Sequence, residues 1–275
     1  MLRFTAAGVV AAPRAVQLRV TGDLRGGVLI GVEPCAKPMT DDEITANVRY
    51  FTLGQRGPRG AVCEALILSA VPPERLQAIG ACVREARAWG IRRVVLHAAA
   101  ADLGRVDDAV DEVVVVARGE AIGPCAWPVT LVVPLEEGGE DLALRSVEAI
   151  SGVARVVFSW PFPPTGRPMD VREVKRLLDG AGERLEGTGV PWTVKGIPGC
   201  LLGSHQGRHA RTQNRWYVDA EHQTVNARLF FPDLLRFSKL DVCRFCGLDE
   251  RCDGVAANWL DRAPLAPLRP VVDTR

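Results

Sequence analysis

The sequence predicts an α/β fold: a partial (β/α) barrel followed by a C-terminal cysteine-rich metal-binding extension. Three observations carry that expectation. Short apolar runs of β-forming residues alternate with amphipathic helical patterns through most of the 275 residues. The runs are too apolar to leave one face in water, which is the mark of a parallel sheet covered by helices. Beyond about Pro198 the texture changes, and Cys200 is followed by Cys243, Cys246 and Cys252 in a stretch with no obvious long helix.

Each element has its own signal. Val16–Val20 alternates as a half-exposed strand would, and Val28–Val32 is the next strand candidate. Thr40 with Glu43 forms a capping-box signature that opens a helix reaching about Thr52. Ala65–Leu68 reads as a strand. Pro72 and Pro73 start a helix with Leu76, Ile79, Val83 and Ala86 at helical spacing, and Gly90 stops it. Arg93–His97 is a strand, a short helix is expected near Arg105–Ala109, and Glu112–Val116 and Val129–Pro134 are further strands. A helix over Leu142–Ile150, a strand at Val153–Phe158, a helix capped by Asp170 and Glu173 through about Leu185, and a strand at Trp192–Lys195 complete the series. Successive β-α units with right-handed crossovers curl into a full or partial TIM-like barrel. No Gly-x-Gly-x-x-Gly follows an early strand, which disfavours a dinucleotide-binding sheet. The expected division is residues 1–197 for the barrel and 198–275 for the extension.

Composition narrows the function classes. A hydrophobic content of 47% supports a sizeable core, and a net charge of +1 gives no electrostatic case for nucleic acid or an anionic membrane. No segment approaches 18 uninterrupted apolar residues, so no membrane span is expected. The apolar stretch Phe4–Ala12 is short, follows a single Arg3 and runs into strand-like sequence, unlike a secretory leader. Eight cysteines without the spacing of a small secreted scaffold point to a reducing compartment, hence the cytoplasm. No Ser-His-Asp, paired-carboxylate or phosphate-loop constellation stands out.

The four C-terminal cysteines carry the chemistry. A C-x2-C pair (Cys243, Cys246) closes a tight chelate, Cys252 is six positions on, and Cys200 adds a thiol from a separate segment. The sensible occupants are an iron–sulfur cluster or structural Zn²⁺. Zinc favours two paired motifs, whereas one C-x2-C-x5-C run with a remote cysteine is closer to cluster ligation. Four protein ligands leave no iron open, so a saturated cluster serves structure or electron relay. Elsewhere, Cys63 and Cys82 lie in apolar runs and Cys125 in a Gly-Pro loop. Cys35 and His97 are candidates to line a pocket at the barrel mouth. His205, His209 and His222 are expected at the surface, as is the basic loop Arg208–Arg215, and Trp160–Pro164 forms a rigid apolar rim.

The β-α succession, with Gly196-Ile-Pro-Gly-Cys200 and Cys243-x2-Cys246-x5-Cys252-Asp-Gly-Val, resembles a radical S-adenosylmethionine (radical SAM) protein bearing a SPASM- or twitch-like auxiliary-cluster segment. Arg215–Ala220 and Leu229–Leu234 fall between the cluster cysteines as in that arrangement. The resemblance spans about residues 15–265 and implies that Cys200, Cys243, Cys246 and Cys252 ligate one [4Fe–4S] cluster. Two departures follow. The family's C-x3-C-x2-C loop corresponds to Glu33–Met39, which holds only Cys35. The family's Gly-Gly-Glu-Pro-like turn corresponds to Ser69–Pro72, without glycines or carboxylate. S-adenosylmethionine cleavage is therefore not expected. The resemblance implies a degenerate, non-enzymatic accessory protein that docks a peptide or protein substrate, or partners an active radical SAM relative. The alternatives are an unorthodox iron–sulfur enzyme and a zinc-stapled binding module.

Overall fold

In the computed structural model the described residues are 13–21, 37–53, 63–123, 125–148, 151–160, 169–211, 215–230, 237–256 and 271. The strand expected at Val28–Val32 and the pocket candidate Cys35 lie outside them.

Seven strands follow one another across a sheet in chain order: β1 (Ala15–Arg19), β2 (Ala65–Ser69), β3 (Arg93–Ala98), β4 (Glu112–Val116), β5 (Val129–Pro134), β6 (Val153–Ser159) and β7 (Trp192–Lys195). Each is parallel to its neighbours. An order that advances by one strand each time, without reversal, winds one way and curls, as a partial (β/α) barrel does. An eighth parallel strand, β8 (Arg215–Val218), lies on the free side of β1, and β9 (Arg228–Phe230) pairs antiparallel with β8. The sheet therefore continues into the sequence past residue 198.

Four helices cover its outer face: α1 (Asp41–Thr52), α2 (Leu76–Ala88), α3 (Glu140–Glu148) and α4 (Val171–Thr188). Both expected capping boxes are formed. The Glu43 N–H donates to Thr40 Oγ1 at 3.2 Å, while the Thr40 N–H donates to Glu43 Oε2 at 2.7 Å. Asp170 and Glu173 do the same at the head of α4, which ends at Gly189 with φ 71°. Not every crossover is helical. Between β3 and β4 the chain makes a 3₁₀ segment at Ala100–Arg105, earlier than the helix expected at Arg105–Ala109. Asp107 accepts the Ala109 N–H at 2.9 Å, an Asx-type turn that takes the donor a helix would use. Short 3₁₀ turns and the two-stranded ribbon β10 (Phe237–Ser238) and β11 (Val255–Ala256) make up the described end of the chain.

The core lies mainly between sheet and helices, where Val16, Leu18, Leu66, Leu68, Val94, Leu96, Val113, Val115, Leu131, Val133, Val156 and Phe158 alternate along the strands. The residues between them turn to the concave face. Gln17 and Arg19 belong to that second set and are each 1% exposed. This corrects the expectation of a half-exposed β1: its polar face meets the interior of the curl instead of water.

Candidate metal centre

The loop after β7 sets the first cysteine. Gly196 turns the chain with φ 79°, and a 3₁₀ turn at Gly199–Leu201 presents Cys200. The other three come from a compact series of turns. Cys243 N–H donates to Leu240 O at 2.9 Å, Cys246 N–H to Cys243 O at 3.0 Å, and Cys252 N–H to Leu248 O at 2.9 Å. Leu248 seats this series on the barrel: a Cβ added to Gly199 would stand 2.8 Å from Leu248 Cδ1. Arg211 reinforces the contact, with Nε 3.4 Å from Asp253 Oδ1 and Nη1 donating to Glu250 O at 3.2 Å.

The four thiols share one electrostatic environment. Burial first, then Cys252, Cys246 and Cys243, push the Cys200 thiol up to about 12. Burial also raises Cys243 and Cys252, while the backbone N–H groups of Gly199 and Gly254 oppose the rise at Cys252. Gly254 N–H donates to Cys252 Sγ at 3.3 Å, and Val271 N–H to Cys246 Sγ at 3.4 Å. Such N–H···S bonds favour bound thiolate and tune a metal held there. Among the described residues, no three His, Cys, Asp or Glu side chains stand close enough to grip a single ion.

The remaining cysteines differ. Burial pushes Cys63 up to about 12 and Cys82 to about 11, and the Cys125 thiol donates to Trp127 O at 3.3 Å. Cys63 and Cys82 are therefore structural thiols, since a reactive cysteine needs a stabilised thiolate.

The concave face holds what sequence reading missed. His97 on β3 and Lys195 on β7 are four strands apart, about 19 Å in a flat sheet. Yet burial first, then Arg215 and Lys195, press the His97 imidazole down to about 4, with Glu112 opposing. Lys195 is lowered by burial, then by Arg215 and Arg155, with Asp253 and Glu112 opposing. Charged side chains on β3, β4, β6, β7 and β8 thus influence one another across the concave face. His97 is half-buried near the end of β3, with its Nδ1 covered. Arg215 is itself brought down to about 10 by burial. At the amino end of the strands, Glu112 takes Thr130 Oγ1 at 2.6 Å, Arg155 Nη2 at 2.8 Å and an ion pair from Arg93. These partners outweigh its burial and hold its carboxyl below the ordinary range. The missed residues had a faint signal. Arg19, Arg155, Lys195 and Arg215 all occupy the polar phase of period-two strands, which reads as a solvent face unless the sheet curls.

Two of the three histidines near the cysteines have a carboxylate partner. His205 Nε2 meets Asp179 Oδ1 at 2.7 Å, and His222 Nδ1 meets Asp219 Oδ1 at 2.9 Å. His209 is half-buried, and among the described residues neither of its ring nitrogens makes a hydrogen bond. Within the basic loop, Arg208 stacks on Trp192, 4.8 Å from the ring centroid.

Fold and site define the class: an α/β protein whose parallel sheet is consistent with a partial barrel. No protein-family model matches the chain, and no curated protein matches it. Among solved structures it is similar to the crystal structure of methylornithine synthase. That match has a TM-score of 0.42 and 11% sequence identity, covering 79% of this chain and 74% of the other. No helix among the described residues is long and apolar enough to cross a membrane.

Proposed function

We propose that the chain is an iron–sulfur protein on a radical-SAM-like partial barrel, with Cys200, Cys243, Cys246 and Cys252 holding one [4Fe–4S] cluster. The observation that carries this reading is the shared environment of Cys200 and the three later thiols, contributed by two separate segments. When bound, the cluster would supply structural cross-linking and a one-electron relay. Four thiolates leave it no open iron, and Ser69–Pro72 offers no carboxylate for a methionine amino group. The protein is therefore an accessory factor for a peptide or protein substrate, or for an active radical SAM relative, and does not itself cleave S-adenosylmethionine.

The test is metal and sulfide analysis, with an optical spectrum, of protein purified anaerobically beside a Cys243→Ala/Cys246→Ala variant. About four iron and four sulfide per chain, with broad absorption near ~400 nm lost in the variant, is expected. One zinc without sulfide would replace the cluster by a structural staple. About eight iron, or sustained 5′-deoxyadenosine production, would restore the enzyme reading.

A further inference from the structure

We propose that His209 is a positioning residue of the metal centre, donating a ring N–H to a sulfur of the group held there and favouring its reduced state. This rests on the iron–sulfur reading. The residue stands at the seam between the two segments that carry the cysteines. Its backbone is fixed against β7: the Ala210 N–H donates to Val194 O at 2.8 Å, and the His209 N–H to Gln206 O at 3.2 Å. Beside it lies Gly199, the residue before Cys200. A Cβ added to Gly199 would stand 3.5 Å from His209 Cβ and Cγ, and 2.8 Å from Leu248 Cδ1. Leu248 O in turn accepts the Cys252 N–H at 2.9 Å. One glycine thus lies against both the histidine and the turn between Cys246 and Cys252.

Nδ1 and Nε2 of His209 are both buried without a hydrogen-bond partner among the described residues. In either protonation state an imidazole carries at least one ring N–H, and leaving it unpaired away from water is costly. His205 and His222 escape that cost by facing Asp179 and Asp219. The carboxylates of the cysteine segment are engaged elsewhere, Asp249 by Lys239 and Asp253 by Arg211. A sulfur-rich group held by Cys200 and the later thiols would accept the ring N–H, as Cys252 and Cys246 already accept the backbone N–H groups of Gly254 and Val271. Hydrogen bonds to the sulfurs are among the levers that set the potential of an iron–sulfur centre.

The test uses the full chain purified anaerobically, beside His209→Leu and His209→Gln. Iron and sulfide content tests the cluster reading alone, and a native chain without iron sinks that reading and this proposal together. With about four iron bound, His209→Leu should keep its iron. Its ratio of reduced to oxidised centre, poised at the native midpoint, should fall about two- to tenfold, the worth of one hydrogen bond. His209→Gln, which keeps a side-chain N–H, should recover most of that loss. Electron–nuclear double resonance on reduced native protein labelled with ¹⁵N-histidine should show weak nitrogen coupling that His209→Leu lacks. An unchanged ratio in His209→Leu, or an equal loss in His209→Gln, overturns the proposal with the iron reading intact. Strong coupling would make His209 a ligand and overturns it too. Should the variants fail to fold, the native protein still decides, because no nitrogen coupling there refutes the hydrogen bond.

Discussion

At His97 a single ring links burial to pH. Its folded value near 4 lies below the ordinary 6.5, so between these values the unfolded chain binds a proton that the folded chain refuses. Stability is full above about 6.5 and falls as pH drops toward 4, by up to about 3 kcal/mol. Urea unfolding at pH 5 and pH 7 should show this slope, and His97→Gln should flatten it. An unchanged slope in the variant would assign the dependence to other groups. Gly199 is a second position to test. A Cβ added there would stand 2.8 Å from Leu248 Cδ1, the free end of a half-buried side chain that can turn aside. Gly199→Ala should therefore cost no more than about 1 kcal/mol, which a thermal melt would check.

Among the elements, α1 shows how a helix is tied at both levels of structure. Its capping box fixes the start, and Thr40→Ala should cost about 1 kcal/mol in a denaturant titration. Its buried Asn47 reaches the turn after β8: Nδ2 donates to Gln223 Oε1 at 2.9 Å, and Oδ1 accepts the Thr224 N–H at 2.9 Å. That turn holds Thr224 at φ 48°, a strained value for a β-branched residue. Asn47→Ala should therefore cost more than the cap, about 1–3 kcal/mol, because buried partners lose their bonds. The start of α1 was legible because Thr40 and Glu43 have the local spacing a cap requires. The strands β4 and β5 were legible because short runs of β-branched apolar residues resemble little else. The short helix near Arg105 was misplaced because Asp107 spends its carboxylate on the backbone. The concave face was illegible for another reason. Lys195 and Arg215 look like surface charges until the curl turns their face inward, and curl is a property of the whole sheet. Cys200, Cys243, Cys246 and Cys252 stood out by residue chemistry alone, and nothing in their spacing could show that Gly199 lies against Leu248.

For the molecule as a whole, the decisive contact is the one between β1 and β8. Trp216 is 4% exposed and its ring centroid lies 5.8 Å from that of Phe51 on α1. Trp216→Ala should lose about 3–5 kcal/mol. A chain ending at residue 197 should fail to unfold cooperatively, because β1 would keep a bare edge and α1 would lose its partner. Circular dichroism melts of both proteins would test this, and a sharp, native-like transition in the truncated chain would show that the sheet needs only its first seven strands.

That contact also sets a timetable. Val16 pairs with Trp216, about 200 residues later in the chain. A ribosome adding about 5–20 residues per second finishes that interval in roughly 10–40 s. During synthesis β1 waits for its β8 partner until about 200 further residues have been made. Contacts so distant in sequence slow folding and lengthen the exposure of a sticky edge. Yield in cells should then depend more on chaperones that shelter nascent chains than on the stability of the finished protein.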